Sequence, residues 1–188
     1  MVEGLARAEA AVADCLDAAV WTLPEHDLVA ALDAAHRLAQ RLAAVQLALV
    51  REVDGRGTPR AQGTSSTAVW LRDRLRLDGS TARRLVNVAG ALDAGAPGVR
   101  AALANGDITV EQARVIGETV LTVHTAADAE TADKAVGVLI EWAGKFEPTV
   151  LRKLGTRVLD QVAPELAEAA ARAALEAEAR RADRGRPW

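Results

Sequence analysis

The chain contains one cysteine, no tyrosine and only five aromatic residues, which make up 3% of its 188 residues. A single cysteine, Cys15, cannot form an intramolecular disulfide, so we expect a reducing, cytoplasmic location. Its neighbours Val12, Leu16 and Ala19 are small or apolar, which favours a buried, unreactive thiol over a nucleophile. No segment alternates apolar and polar residues as a half-buried strand would, so strands are not expected.

Signals for secretion and membrane insertion are also lacking. No uncharged apolar run reaches the roughly 18 residues that a membrane-spanning helix needs. The first 17 residues carry four acidic side chains, whereas a signal peptide has a basic start and an apolar middle. We therefore expect no membrane partner.

Residue patterns that carry catalysis or bind metals and phosphates are lacking as well. The three histidines, His26, His36 and His124, are scattered, and no pair of ligand residues has metal-binding spacing. No glycine-rich phosphate loop follows a strand, since no strand is predicted. We expect no metal, no cofactor and no catalytic residue within this chain, which makes an enzymatic function the least favoured hypothesis.

Helix-forming sequence fills most of the chain. Apolar residues make up 50%, with alanine the most frequent, and this composition favours closely packed helices. We predict an all-α multi-helix bundle with one long central helix at about 25–54 and a helix-turn-helix-like pair at about 67–92. Residues 1–163 are predicted to form the helical domain, and residues 164–188 a polar helix and linker toward a further domain.

The predicted helix at 25–54 carries an apolar row with heptad spacing. Its members recur at alternating intervals of four and three residues: Leu28, Leu32, Ala35, Ala39, Leu42, Gln46, Leu49 and Val53. Such a row suits the buried face of a central core helix, and it also suits a seam between two copies of the chain. Because alanines weaken such a seam, the core helix is the favoured interpretation and a homodimer is the alternative.

Positive charge is concentrated in one part of an acidic chain. The net charge is −3, yet residues 56–84 hold seven arginines and two acidic residues, a local charge of +5. Attraction to phosphate is screened beyond about 10 Å in salt, so the local charge matters more than the total for binding nucleic acid. The alternative is a solvated surface on which these arginines contribute little.

A tight turn at residues 77–80 lies inside this basic segment. Two short helices joined by such a turn have the layout of a helix-turn-helix, which places its second helix in the DNA major groove. Arginine and asparagine suit the edges of guanine and adenine, and donors at a helix start suit phosphate. The predicted contacts from the second helix to base edges are Arg83, Arg84 and Asn87. The predicted phosphate contacts are Ser80, Thr81, Arg72, Arg74 and Arg76.

Three blocks of sequence, in order, resemble a known family. They begin at Ala30 (AALDAAHRLAQRLAAVQLALVREVDGRG), at Gly63 (GTSSTAVWLRDRLRLDGSTARRLVNVAGAL) and at Ala101 (AALANGDITVEQARVI). The blocks resemble the actinobacterial 13E12 repeat family, the domain of unknown function numbered 222, over about residues 28–182. The resemblance implies an all-helical domain without an established role of its own, placed ahead of an HNH endonuclease domain.

A second likeness concerns the region from Leu71 to Ile116. Its layout is similar to the DNA-binding region of partition proteins of the ParB type, in which a short helix and a further helix follow the helix-turn-helix. The matching positions are Gly106, Ile108, Thr109 and Ala113. The chain departs from the usual helix-turn-helix in one respect, since Arg72 and Arg76 stand where a small residue and a glycine are common.

Two functions of different classes follow from these observations. The favoured one is a helical DNA-binding or DNA-targeting module that positions an appended HNH endonuclease. The alternative is a protein–protein interaction or oligomerisation module that uses the helix at 25–54. The first predicts duplex DNA as the partner, and the second predicts another copy of the chain.

Overall fold

The computed structural model describes residues 1–93, 97–126 and 129–162. These residues form nine α-helices and no strand, which confirms the predicted all-α bundle. The helices are α1 Val2–Leu16, α2 Glu25–Gly55, α3 Thr58–Ala61, α4 Thr67–Leu75, α5 Gly79–Asp93, α6 Pro97–Asn105, α7 Val110–Ala126, α8 Ala129–Ala143 and α9 Pro148–Val162. None of the helices in these ranges is long and apolar enough to span a membrane. The predicted polar helix and linker at 164–188 lies outside the described residues.

Residues 1–36 form the first of two units and contain α1, a short 3-10 helix at Val20–Thr22 and the beginning of α2. No side chain in this unit is buried. Cys15 is exposed, so the expectation of a buried thiol is wrong. Its apolar neighbours Val12 and Leu16 are exposed too. Apolar side chains spaced along one helix, as in α1, do not ensure that another element covers them.

In the second unit, residues 37–188, helix α7 lies at the centre of the packing and contacts α5, α6, α8 and α9. Fully buried side chains from four helices form the core there: Leu103, Ile116, Leu139 and Leu151. Burying one such side chain stabilises a fold by about 1.5–3 kcal/mol relative to leaving it in water. The core of this unit is therefore built around α7 rather than around the longest helix.

The long helix is confirmed as α2, but its predicted apolar row does not face the core of the second unit. Leu38, beside the row, and Leu42 and Leu49 within it are 41–53% exposed. The buried residues of α2 are instead Leu47 and Val50. Successive residues of a helix are about 100° apart around its axis, so the buried face is turned by roughly one residue from the row. The interpretation of this row as the buried face of a core helix is wrong here.

Gln112 joins the first turn of α7 to the end of α8. Its Oε1 accepts hydrogen bonds from the N–H of Thr109 at 2.8 Å and from the Thr109 hydroxyl at 3.1 Å. Its Nε2 donates to the carbonyl oxygens of Ala143 at 2.6 Å and Phe146 at 2.9 Å. The bonds between Gln112 and Thr109 form a capping box at this helix start. The bonds to the last residue of α8 and to the turn that follows it make the same buried side chain a tertiary contact.

The turn between α6 and α7 lies directly against α2. Gly106 has a φ of 81°, and a Cβ added there would lie 3.0 Å from the carbonyl oxygen of Arg37. The N–H of Val110 donates to Oε1 of Gln40 at 3.0 Å. In this way α2 satisfies a backbone donor at the start of α7 that has no partner within its own helix.

Candidate nucleic-acid interface

Helices α4 and α5 form the helix pair predicted at 67–92. The hydroxyl of Ser66 caps α4 and accepts a hydrogen bond at 3.2 Å from the N–H of the third residue after it. The turn comprises residues 76–78, so Gly79 and Ser80, which were predicted as turn residues, belong to the first turn of α5. The two helices pack directly on each other. A helix, a three-residue turn and a second helix fit the predicted layout.

Arg76 ends α4 in the left-handed backbone conformation, with φ 55° and ψ 41°. Among the described residues it is the one non-glycine residue with a positive φ. The N–H groups of Arg76 and Leu77 both donate to the carbonyl oxygen of Arg72 and close the helix end. Arg76 thus takes the conformation for which glycine is usual, at a cost of about 1–2 kcal/mol. The side chains of Arg72 and Arg76 are exposed, so neither places a charge in the helix crossing.

Asp78 caps α5 and accepts hydrogen bonds from the donors that were predicted to contact phosphate. Its Oδ1 accepts from the N–H of Ser80 at 2.9 Å, from the N–H of Thr81 at 2.8 Å and from the Ser80 hydroxyl at 2.5 Å. Its Oδ2 accepts from the Thr81 hydroxyl at 2.5 Å. These bonds hold the pKa of Asp78 well below its ordinary value, and the bonds from the Ser80 and Thr81 hydroxyls contribute most to the shift. Phosphate binding by Ser80 and Thr81 stays a prediction, and it requires Asp78 to release them.

The two remaining arginines of α4 have local partners. Nε of Arg72 donates to Oδ1 of Asp73 at 2.7 Å, and this bond raises the pKa of Arg72. The guanidinium of Arg74 lies 5.0 Å from the centre of the Trp70 ring, a cation–π distance. Nε1 of Trp70 in turn donates to Oε1 of Gln62 at 2.8 Å. The guanidinium of Arg74 is therefore held by an aromatic face, which leaves its charge unneutralised.

The outward side of α5 forms one wall of an open cleft, and α7 forms the other. The cleft has a volume of about 580 Å³. Arg83, Arg84 and Asn87 line it together with Ser80, and all four are exposed. The structure therefore brings four of the eight predicted contact residues into one site. Of the other four, Arg72 and Arg74 lie on α4 and Arg76 lies in the turn. Thr81 lies at the start of α5, bonded to Asp78.

The α7 wall of the cleft carries an ion-pair network. Arg114 donates to both carboxylate oxygens of Glu111, at 2.5 and 3.1 Å, and to Glu118 at 2.5 Å. From α9, the guanidinium of Arg152 approaches Glu111 to 3.6 Å. The Arg114 hydrogen bond is the largest cause of a lowered pKa at Glu111, with smaller contributions from Arg152 and Arg84. The same pairing, chiefly with Glu111, raises the pKa of Arg114.

Sequence reasoning did not identify this second wall. The spacings Glu111–Arg114 and Arg114–Glu118, three and four residues, predict ion pairs along a helix. They do not predict that these pairs face Arg83 and Arg84, because that depends on how α5 packs on α7. Within the part of the chain that the structure describes, no three histidine, cysteine or acidic residues are grouped as metal ligands.

Fold and site together define an all-α protein with an exposed arginine-bearing helix pair beside a charged cleft. The family model of a domain of unknown function (DUF222) matches residues 29–186. Because this match covers most of the chain, the protein belongs to that family, as the sequence blocks indicated. No curated protein and no solved structure matches the chain. The family description names no activity, so the function has to be argued from the site.

Proposed function

We propose that this chain is a DNA-binding module that places α5 in the major groove of duplex DNA. The observation that supports the proposal most directly is the arrangement of Arg83, Arg84 and Asn87 on one exposed side of α5. In the described part of the chain, no carboxylate lies within ion-pair distance of Arg83 or Arg84. Their charges are therefore available to a polyanion, and their side chains suit base edges.

The helix pair presents further positive charge next to α5. Arg74 lies over an aromatic ring and Arg76 projects from an exposed turn, so both leave their charge in solvent. Phosphate contacts of this kind supply much of the affinity of DNA-binding proteins and fix the register of the recognition helix. On this proposal α5 contacts the groove, and the end of α4 contacts the backbone of the duplex.

Replacing Arg83 and Arg84 together by alanine is expected to weaken duplex DNA binding by at least about tenfold, because one arginine contact to DNA contributes about 1–3 kcal/mol. Fluorescence anisotropy with a labelled duplex, over a salt titration, measures the affinity and its salt dependence. The matched control is Arg7→Ala with Arg41→Ala, which removes the same charge from exposed residues outside the cleft.

The control variant is expected to bind about as tightly as the unmodified chain. Equal weakening in both double variants would mean that net charge alone governs binding and that α5 is not the contact. Absence of salt-dependent binding to duplex DNA at low ionic strength would contradict the proposal as a whole.

We further propose that the module directs an HNH endonuclease domain of the same protein to DNA. The support is the resemblance of its sequence blocks to a family found ahead of such domains. The sequence of the complete gene tests this point. An HNH motif there is the expected result, and an unrelated domain would remove the link to a nuclease.

A second candidate function is homodimerisation through α2, and the exposed leucines of that helix favour it. In the second unit, Leu42 and Leu49 lie in the heptad row and Leu38 lies beside it, yet all three are exposed. In the first unit, Leu28 and Leu32 of the same row are 48% and 70% exposed. Large apolar side chains with heptad spacing on one helix commonly pair with a second helix.

Leu42→Glu is expected to convert a dimer to a monomer without unfolding the chain, because Leu42 is already 53% exposed and a buried unpaired carboxylate opposes association. Multi-angle light scattering gives the mass of each species. Ala48→Glu places the same charge on another exposed part of α2 and is expected to stay dimeric. A monomeric mass for the unmodified chain would rule this candidate out.

A further inference from the structure

The cleft between α5 and α7 contains more positive charge than the predicted DNA contacts account for. Arg83 and Arg84 lie on the α5 wall, Arg114 lies on the α7 wall, and Arg152 of α9 reaches Glu111. With Glu111 and Glu118, the group comprises four guanidinium groups and two carboxylates, a net local charge of +2. A cleft with this charge attracts an anion, even though the chain as a whole is acidic.

Glu111 lies within ion-pair distance of two of these guanidinium groups, those of Arg114 and Arg152. Its two oxygens accept from Nε and a terminal nitrogen of Arg114, which is the forked geometry that guanidinium groups also use for phosphate. The carboxylate also lies 3.6 Å from the guanidinium of Arg152, and the charge of Arg84 makes a small contribution to the lowered pKa of Glu111. Two arginines on two different helices, Arg114 and Arg152, thus pair with one half-exposed carboxylate.

We infer that Glu111 is an intramolecular competitor for the DNA backbone, and that Arg114 and Arg152 extend the DNA contact surface beyond the helix pair. The inference rests on the proposed DNA-binding function of α5. A backbone phosphate next to α5 enters the cleft and pairs with arginines that Glu111 occupies in the unbound protein. Glu111 lowers the affinity for DNA because a phosphate that binds in the cleft either displaces the Glu111 carboxylate from the arginines or is repelled by its negative charge.

Two features of the network allow a phosphate to take the place of the Glu111 carboxylate: the bond between Arg114 and Glu118, and the exposure of the Glu111–Arg152 pair. Glu118 accepts a hydrogen bond from Arg114 at 2.5 Å, so Arg114 keeps a carboxylate partner beside the cleft when Glu111 is replaced by glutamine. The side chain of Glu111 is 44% exposed, and that of Arg152 is 50% exposed. The Glu111–Arg152 pair is exposed and contributes little to folding. Arg114, whose side chain is 21% exposed, retains its bond to Glu118 when Glu111 is neutralised.

Glu111→Gln is expected to tighten duplex DNA binding about three- to fivefold, since one unit charge a few ångströms from another contributes about a factor of five in water. It is also expected to steepen the dependence of log affinity on log salt by about one unit for each additional phosphate contact. Anisotropy with a labelled duplex at several salt concentrations measures both quantities. Circular dichroism checks that the variant is folded.

The matched control is Glu141→Gln. Glu141 is an exposed glutamate of α8, paired with Lys145 at 2.7 Å, and it does not line the cleft. Glu141→Gln changes the net charge of the chain by the same amount as Glu111→Gln. It therefore shows how much of any gain in DNA affinity comes from net charge alone. Adding Arg152→Gln to Glu111→Gln is expected to remove most of the gain and to return the salt slope toward that of the unmodified chain.

The outcomes separate this inference from the function on which it rests. If the unmodified chain binds duplex DNA while Glu111→Gln and Glu141→Gln behave alike, the competitor role is wrong and the DNA-binding function stands. If neither the unmodified chain nor Glu111→Gln binds at low salt, both are wrong. A gain in Glu111→Gln that survives the loss of Arg152 overturns the part assigned to α9.

Discussion

Gly106→Ala is expected to lower the free energy of unfolding by about 3 kcal/mol, because two separate costs add at this residue. Its φ of 81° lies in the left-handed region, where a Cβ costs about 1–2 kcal/mol. The new Cβ would also lie 3.0 Å from the carbonyl oxygen of Arg37 and 3.4 Å from its Cα. Because these are backbone atoms of α2, relief requires a shift of a helix, at a further ~1–3 kcal/mol. Urea unfolding followed by circular dichroism measures the change.

Gly63→Ala is the matched control for the backbone cost. Its φ is 78°, and a Cβ there has nothing within 4 Å. We expect a loss of only about 1 kcal/mol, the conformational cost without the collision. Equal losses at Gly106 and Gly63 would mean that α2 does not press against the turn between α6 and α7 in solution.

Gln112→Ala is expected to cost about 3 kcal/mol, because a buried side chain with four hydrogen-bond contacts is removed. The bond from Nε2 to the carbonyl oxygen of Ala143 lies in buried surroundings, so truncation leaves that oxygen without this donor. An unsatisfied buried polar group alone costs about 1–3 kcal/mol. The loss of the capping bonds to Thr109 destabilises the start of α7 by about 1 kcal/mol more. Urea unfolding again gives the difference in free energy.

Gln46→Ala, at an exposed position of α2, is the control for the change of residue type. Its effect is expected to stay within about 0.5 kcal/mol, as for most exposed substitutions. If Gln112→Ala unfolds at the same urea concentration as the unmodified chain, the link between α7 and the end of α8 contributes nothing to stability.

The helix pair was predictable because its signals are local. Ser66 stands before α4, Asp78 stands before α5, and the apolar spacing on both helices is that of one turn. The backbone conformation of Arg76 was harder to predict from the sequence. The usual helix-turn-helix pattern has glycine at the position of Arg76, but only the structure shows that this arginine adopts the left-handed conformation and projects into solvent.

The orientation of α2 could not be predicted from its sequence. Its most regular apolar row suggested a buried face, yet the structure buries Leu47 and Val50 on an adjacent face. Apolar residues occur on several sides of this alanine-rich helix, so periodicity alone does not select the side that packs. The selection depends on contacts with distant residues, such as Gln40 with Val110.

By itself the sequence determined the helical class, the family, and the presence of a helix pair over about residues 67–92. These depend on composition and on interactions between residues a few positions apart. Only the tertiary structure decided which side of α2 is buried and which charges meet in the cleft. The reason is that Arg84, Glu111 and Arg152 lie on three helices, and their proximity follows from the packing of α5 and α9 on α7.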